Sequence, residues 1–311
     1  MDRISTSSAY NSVLTNLMTA EINQTNAGSQ LSSTEKATDL KGYSGSAETL
    51  AAMQATNTQV TGYLAVGQTV GAKLSVQNSA LGQVAGGAKS AIDAITNALA
   101  VGNGTTLMQG LESALGDAID GLNSTFNGEY VFAGGQVNTQ PVSATNLSDL
   151  TSAASIASLF HNDNRQVTSQ INQNTVINSG FLADQVGTPL FNALQAIEAY
   201  DQGPNGPLSG TLTTAQKTFL TAQIASLTTV QTNLNNVVAQ NGLMQNQVTQ
   251  VQGDLTQQQT MLGGLIGDLT SADLAKASTD LQQAQIAVQA AGQVFNSLRS
   301  TSLLNTLSPT G

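Results

Sequence analysis

Residues 220–265 read LTAQIASLTTVQTNLNNVVAQNGLMQNQVTQVQGDLTQQQTMLGGL. Stepping alternately by three and four from the first leucine picks out Leu220, Gln223, Leu227, Val230, Leu234, Val237, Asn241, Met244, Val248, Val251, Leu255, Gln258, Leu262 and Leu265. A mainly apolar column at this period is the seam of a coiled coil. Upstream, Leu50, Met53, Asn57, Val60, Leu64, Gly67, Gly71, Leu74, Asn78, Leu81, Ala85, Ala88, Ile92, Ile95 and Leu99 make a second ladder. Near the end a third runs through Leu274, Ala277, Leu281, Ala284, Val288, Ala291, Phe295 and Leu298. The expected fold is mainly α, a long antiparallel coiled-coil helical rod built by the N- and C-terminal regions, with a small β-rich middle insertion. Each of the two long helices would span roughly 80 Å at ~1.5 Å per residue.

Working outward, residues 3–34 read as one helix with Leu14, Leu17, Met18, Ile22 and Leu31 on its stripe, broken by Gly42 and Gly45. Ser46 is placed to cap the second helix, and Gly102-Asn103-Gly104 to end it. A third helix from Thr106 carries Leu107, Leu111, Leu115, Ile119, Leu122 and Phe126 and runs out at Asn127-Gly128. From Glu129 the pattern changes to a strand with a glycine turn, then to period-two alternation at 166–171 and 175–177, with a short helix near Leu150–Phe160. Helix resumes over Asp184–Tyr200, and Ser271 would cap the last one. These changes divide the chain into an N-terminal assembly helix (1–41), the N-terminal half of the rod (42–128), the insertion (129–182), the C-terminal half of the rod (183–270) and a C-terminal assembly helix (271–311). Between Lys217 and Asp268 the only charge is Asp254. Register must then come from seam amides, with Asn57, Asn78 and Asn241 the strongest candidates beside Gln223 and Gln258.

Composition removes several function classes. The 311 residues carry a net charge of −10 with only nine Lys and Arg, so no phosphate-binding surface is expected and nucleic acid is excluded as a partner. No segment approaches the ~20 apolar residues of a membrane span. Charged residues make up 9% and aromatics 4%, so the cores are expected to be thin seams of Leu, Val and Ala. With no cysteine there is neither a disulfide nor a thiolate metal site. The single histidine, His161, stands among amides without further ligands. Gly82–Ser90 mimics a phosphate loop but lies inside the second ladder and misplaces its lysine. Asp117 and Asp120 share a helix face with Glu112, which reads as a solvated stripe. No catalytic residue, cofactor or metal is expected.

Four segments carry a resemblance to the bacterial flagellin superfamily, most closely to its hook-associated protein 3, or hook–filament junction, branch. They are Arg3-Ile4-Ser5-Thr6 with Tyr10, the Gly128-Glu129-Tyr130-Val131-Phe132-Ala133-Gly134 stretch followed by Pro141, Asp268–Ala277, and Ser302-Leu303-Leu304-Asn305. The turn after the first helix departs from the common pattern at Asp39-Leu40-Lys41-Gly42-Tyr43. The resemblance implies a structural subunit that polymerises through its terminal helices, with an assembly interface at Leu14, Leu17, Met18, Ile22 and the third ladder. It implies self-association, contact with hook-associated protein 1 and flagellin, an export chaperone, and a place on the extracellular flagellum reached without a cleaved signal peptide. A filament flagellin and a secreted adhesin whose binding maps to the insertion are the alternatives. The alanine-rich terminal stripes are too thin to order the ends of an isolated monomer.

Overall fold

The structure is a computed structural model that describes residues 2–307, and the side chains of residues 8–298 and Ser300 within them. Met1, Pro309 and the side chains of the Arg3–Thr6 and Ser302–Asn305 motifs lie outside the described residues. The order is α1 (Asp2–Ser33), a 3-10 turn (Leu40–Ser46), α2 (Ala47–Val101), α3 (Leu107–Leu122), β1 (Thr125–Phe126), β2 (Glu129–Tyr130), α4 (Leu147–Ser152), a second 3-10 turn (Ile156–Leu159), β3 (Thr168–Gln170), β4 (Val176–Asn178), α5 (Ala183–Gln202), α6 (Thr214–Thr270) and α7 (Leu274–Leu307). The fold is mainly α, with long packed helices and two small antiparallel hairpins. The chain divides into two compact units, residues 60–257, and residues 1–59 with 258–311.

In the 60–257 unit the two long ladders meet antiparallel. Along α2 every ladder position from Val60 to Leu99 is buried or half-buried, as is every α6 position from Leu220 to Leu255. Gly67 faces Gln252 and Gly71 faces Val248, while Leu74 pairs with Asn241, so numbers fall on one helix as they rise on the other. The ends of the pair are tied by short loops. The N–H of Gly104 donates to the carbonyl of Gly210 (2.8 Å), and that of Leu212 to the carbonyl of Gly102 (2.9 Å). A Cβ on Gly104 would fall 2.2 Å from the Leu208 carbonyl oxygen, so only glycine fits this approach.

Helix α3 packs on α2 through small residues. Gly87 sits against the Ala114 carbonyl and Gly121 against that of Ala80, which draws the two backbones together. With α5, these helices enclose the main core, whose largest members are Phe132, Phe191, Leu111, Leu115, Leu122 and Leu150. The expected end of α3 needs correcting. The helix stops at Leu122, and Phe126 belongs to β1, paired with Glu129 across Asn127-Gly128. Those two residues have φ of +53° and +84°. Two consecutive positive φ values are what a type I′ hairpin turn needs, and Asn-Gly supplies them cheaply.

The insertion is pinned at three places. Gly134, at φ +68°, and Gly135 wrap the Asp163 carboxylate, which accepts from the N–H groups of Gly135 (2.8 Å) and Arg165 (3.0 Å). Those bonds hold the Asp163 carboxyl below its ordinary range. Glu112 accepts from the N–H of Leu147 (3.0 Å) at the first turn of α4, where the helix dipole favours a carboxylate. Gln77, fully buried on α2, donates from Nε2 to the carbonyls of Val131 (3.2 Å) and Ser179 (2.9 Å). Beside it, Ile171 and Ile177 of the second hairpin cover Val70, Leu74 and Val248.

Candidate functional site

The second unit is built around α1 and α7. Helix α1 is rich in Thr, Ser and Asn, poor helix formers when their side chains compete for the backbone. Here Thr15, Thr19 and Thr25 turn their hydroxyls back to carbonyls one turn earlier (2.8–2.9 Å), which satisfies them without breaking the helix. The helix ends at Thr34, a non-glycine at φ +63°. Its carbonyl accepts from the N–H of Ala272 (2.9 Å), and the N–H of Lys36 donates to the Thr270 carbonyl (2.7 Å). The Lys36 ammonium donates to the last carbonyls of α6, Leu269 (2.9 Å) and Asp268 (3.3 Å). A cation there meets the negative end of the helix dipole.

Two capping expectations change at this junction. Ser271 does not cap α7; it forms the antiparallel bridge with Glu35, and Asp273 caps instead, its carboxylate accepting from the N–H of Lys276 (3.0 Å). Ser46 lies in the first 3-10 turn, which runs directly into α2 and is capped by Asp39 (3.1 Å to the N–H of Gly42).

Helices α1 and α7 pack antiparallel, with the rings of Tyr10 and Phe295 at 4.9 Å. On α7 the third ladder lines the seam from Ala277 onward. Ala277 and Ala284 are buried, and Leu281, Val288, Ala291, Phe295 and Leu298 are half-buried. Leu274 departs from it and is exposed. On α1 the residues named for the assembly interface divide between two faces. Val13, Leu17, Ala20, Gln24, Ala27 and Leu31 face inward. Leu14 (41% exposed), Met18 (56%) and Ile22 (57%) point out, and only Leu17 of the expected four is in the pair. The six inward residues run in unbroken steps of four and three, the spacing of a helix–helix seam, and the two of them that are fully buried are the alanines. Weighting aliphatic size above spacing hid it.

Two apolar stripes are left facing outward, Leu14, Met18 and Ile22 on α1, and Ile286 and Val294 on α7. Between residues 8 and 31 the only charge is Glu21, and between 281 and 298 there is none. Such faces suit association with other apolar helices and have no chemistry of their own. Among the described residues no group of three His, Cys, Asp or Glu could hold a metal, and no helix is long and apolar enough to cross a membrane. Of the seam amides, Asn241 is fully buried and donates from Nδ2 to the Leu74 carbonyl (2.9 Å) and to Asn78 Oδ1 (3.4 Å). Asn57 is half-buried.

Residues 220–307 match the bacterial flagellin C-terminal helical region. That match spans nearly all of α6 and the whole of α7, the helix whose partner is α1. This part of the chain is similar to the C-terminal helices of flagellin. The fold of the chain is similar to that of a protein assigned as flagellar hook-associated from Vibrio parahaemolyticus, with a TM-score of 0.57 at 15% identity over 72% of this chain and 96% of the other. It is also similar to Bacillus cereus FlgL, with a TM-score of 0.53 at 15% identity over 70% and 99%. No curated protein sequence matches the chain.

Proposed function

We propose that the chain is a structural subunit of the bacterial flagellum that joins hook to filament, and that it polymerises through α1 and α7. The observation that supports this is the pairing of the terminal helices into a thin seam that leaves Leu14, Met18, Ile22, Ile286 and Val294 outside. The similar fold of a hook-associated protein favours the junction over the filament. Self-association through these helices, contact with hook-associated protein 1 and flagellin, delivery by an export chaperone and residence on the extracellular flagellum belong to the same reading. No catalytic step does.

The filament-flagellin alternative draws on the matched region, which is that of flagellin itself. Gold-labelled antibody on whole cells separates the two. The junction reading predicts a band at the distal end of the hook. Label along the filament would make the chain a filament subunit, and label over the cell envelope would point to an adhesin.

A further inference from the structure

Asn-Gly occurs four times, at 103–104, 127–128, 205–206 and 241–242. Asparagine is thermolabile, and before glycine it has an intramolecular route to the loss of its amide. The glycine nitrogen, unshielded by any Cβ, attacks the asparagine Cγ, gives its proton to solvent and expels ammonia, which closes a succinimide ring. Water then opens the ring at either carbonyl and leaves an aspartyl or an isoaspartyl residue. The attack needs a free glycine N–H, a free side-chain amide and a backbone able to swing the two together.

Three of the four dipeptides lack these. At Asn103 the side-chain Oδ1 accepts from the N–H (2.8 Å) and the hydroxyl (2.6 Å) of Thr105, and the Gly104 N–H donates to the Gly210 carbonyl (2.8 Å). At the next site the Gly206 N–H donates to the Gly203 carbonyl (3.1 Å), and the Asn205 carbonyl accepts from Gln216 Nε2 (2.9 Å). A Cβ on Gly206 would fall 1.8 Å from the Asp201 carbonyl oxygen, so this backbone is pressed too closely to swing. Asn241 has zero exposure inside α6, whose regular backbone keeps the side chain and the following nitrogen apart.

Asn127-Gly128 is different. Both residues are exposed, and a Cβ on Gly128 would meet nothing within 4 Å. Neither the Asn127 side chain nor the Gly128 N–H makes a hydrogen bond among the described residues. The turn joins strands of two residues each, and so short a ladder opens locally at little cost, which frees the backbone for ring closure.

We propose that Asn127 is a site of spontaneous modification, in which the Gly128 nitrogen displaces the side-chain ammonia and the turn becomes a mixture of aspartyl and isoaspartyl forms. The isoaspartyl form adds a methylene to the main chain of a two-residue turn, so the Thr125–Tyr130 and Phe126–Glu129 pairs lose their register. Either form adds a negative charge beside Glu129. Phe126, half-buried against the main core, then loses the pairing that seats it. The change accumulates with the age of the subunit and stands whether or not the junction reading holds.

The test uses the full-length protein, held in warm, mildly alkaline buffer and sampled over days, with its proteolytic peptides weighed by mass spectrometry. A one-dalton gain should build up at position 127 roughly tenfold or more ahead of positions 103, 205 and 241, with part of it labelled by an isoaspartyl methyltransferase. In urea-unfolded protein all four should gain at similar rates, since the same residue follows each asparagine. Asn127→Gln should abolish the early gain. Another Asn-Gly that keeps pace with position 127 in the folded protein, or the same order of rates in urea, would show that the fold does not select the site. An amide at 127 that survives in the folded protein for as long as the other three would overturn the proposal outright.

Discussion

Asn241 sits at zero exposure in a column otherwise filled by Leu and Val, and its Oδ1 has no hydrogen-bond partner. The Leu74 carbonyl it binds also accepts from Gln245 Nε2 (2.9 Å), so removing Asn241 does not orphan that oxygen. Asn241→Leu should therefore stabilise the subunit by about 1 kcal/mol, or ~2–4 °C in melting temperature. Incorporation into flagella should fall, on the proposal that the amide facing Asn78 favours one alignment of the two ladders. A lower melting temperature would show that the two hydrogen bonds outweigh the buried oxygen. The position was legible in the sequence because it interrupts an apolar ladder. Gln77 was not, since it lies one residue off the α2 ladder and is buried by carbonyls from two distant loops that no periodicity announces.

At the scale of elements, long helices were legible and their faces less so. The ladders of α2 and α6 carry large aliphatics, and burial follows them residue by residue up to Leu255. In α1 Leu14, Met18 and Ile22 lie off the seam, whose fully buried members are Ala20 and Ala27, residues that contribute little area and so give little signal. The hairpin at Asn127-Gly128 was hidden by Phe126, which continues the helical spacing of α3 by accident. The corrected faces separate two substitutions. Met18→Asp touches only the outward stripe, so the purified subunit should keep its helicity and melting temperature but fail to enter flagella. Leu281→Asp places a carboxylate in the α1–α7 seam and should lower far-ultraviolet ellipticity as both helices loosen. Normal flagella built with Met18→Asp would remove the outward stripe from the assembly interface.

For the molecule as a whole, the two units differ in what holds them. The 60–257 unit buries Phe132, Phe191 and a large set of leucines and isoleucines. In the unit of residues 1–59 and 258–311, the fully buried apolar side chains of the terminal pair are Ala20, Ala27, Ala277 and Ala284. At ~25 cal/mol per Å², an alanine seam recovers far less than the ~1–2 kcal/mol per residue needed to order two helices. Helix α1 gains little from intrinsic propensity, being rich in Ser, Thr and Asn. The pair should therefore open locally without the rest of the chain unfolding. Hydrogen exchange on the free subunit should find α1 and α7 the least protected helices, with 60–100 and 215–257 exchanging only through global unfolding. On the proposed assembly the outward stripes should become buried and protection should spread through both terminal helices, the ordering cost being met by contacts between copies. Terminal helices as protected in the free subunit as α2 and α6 would show that the alanine seam suffices alone, and that folding and assembly are not coupled.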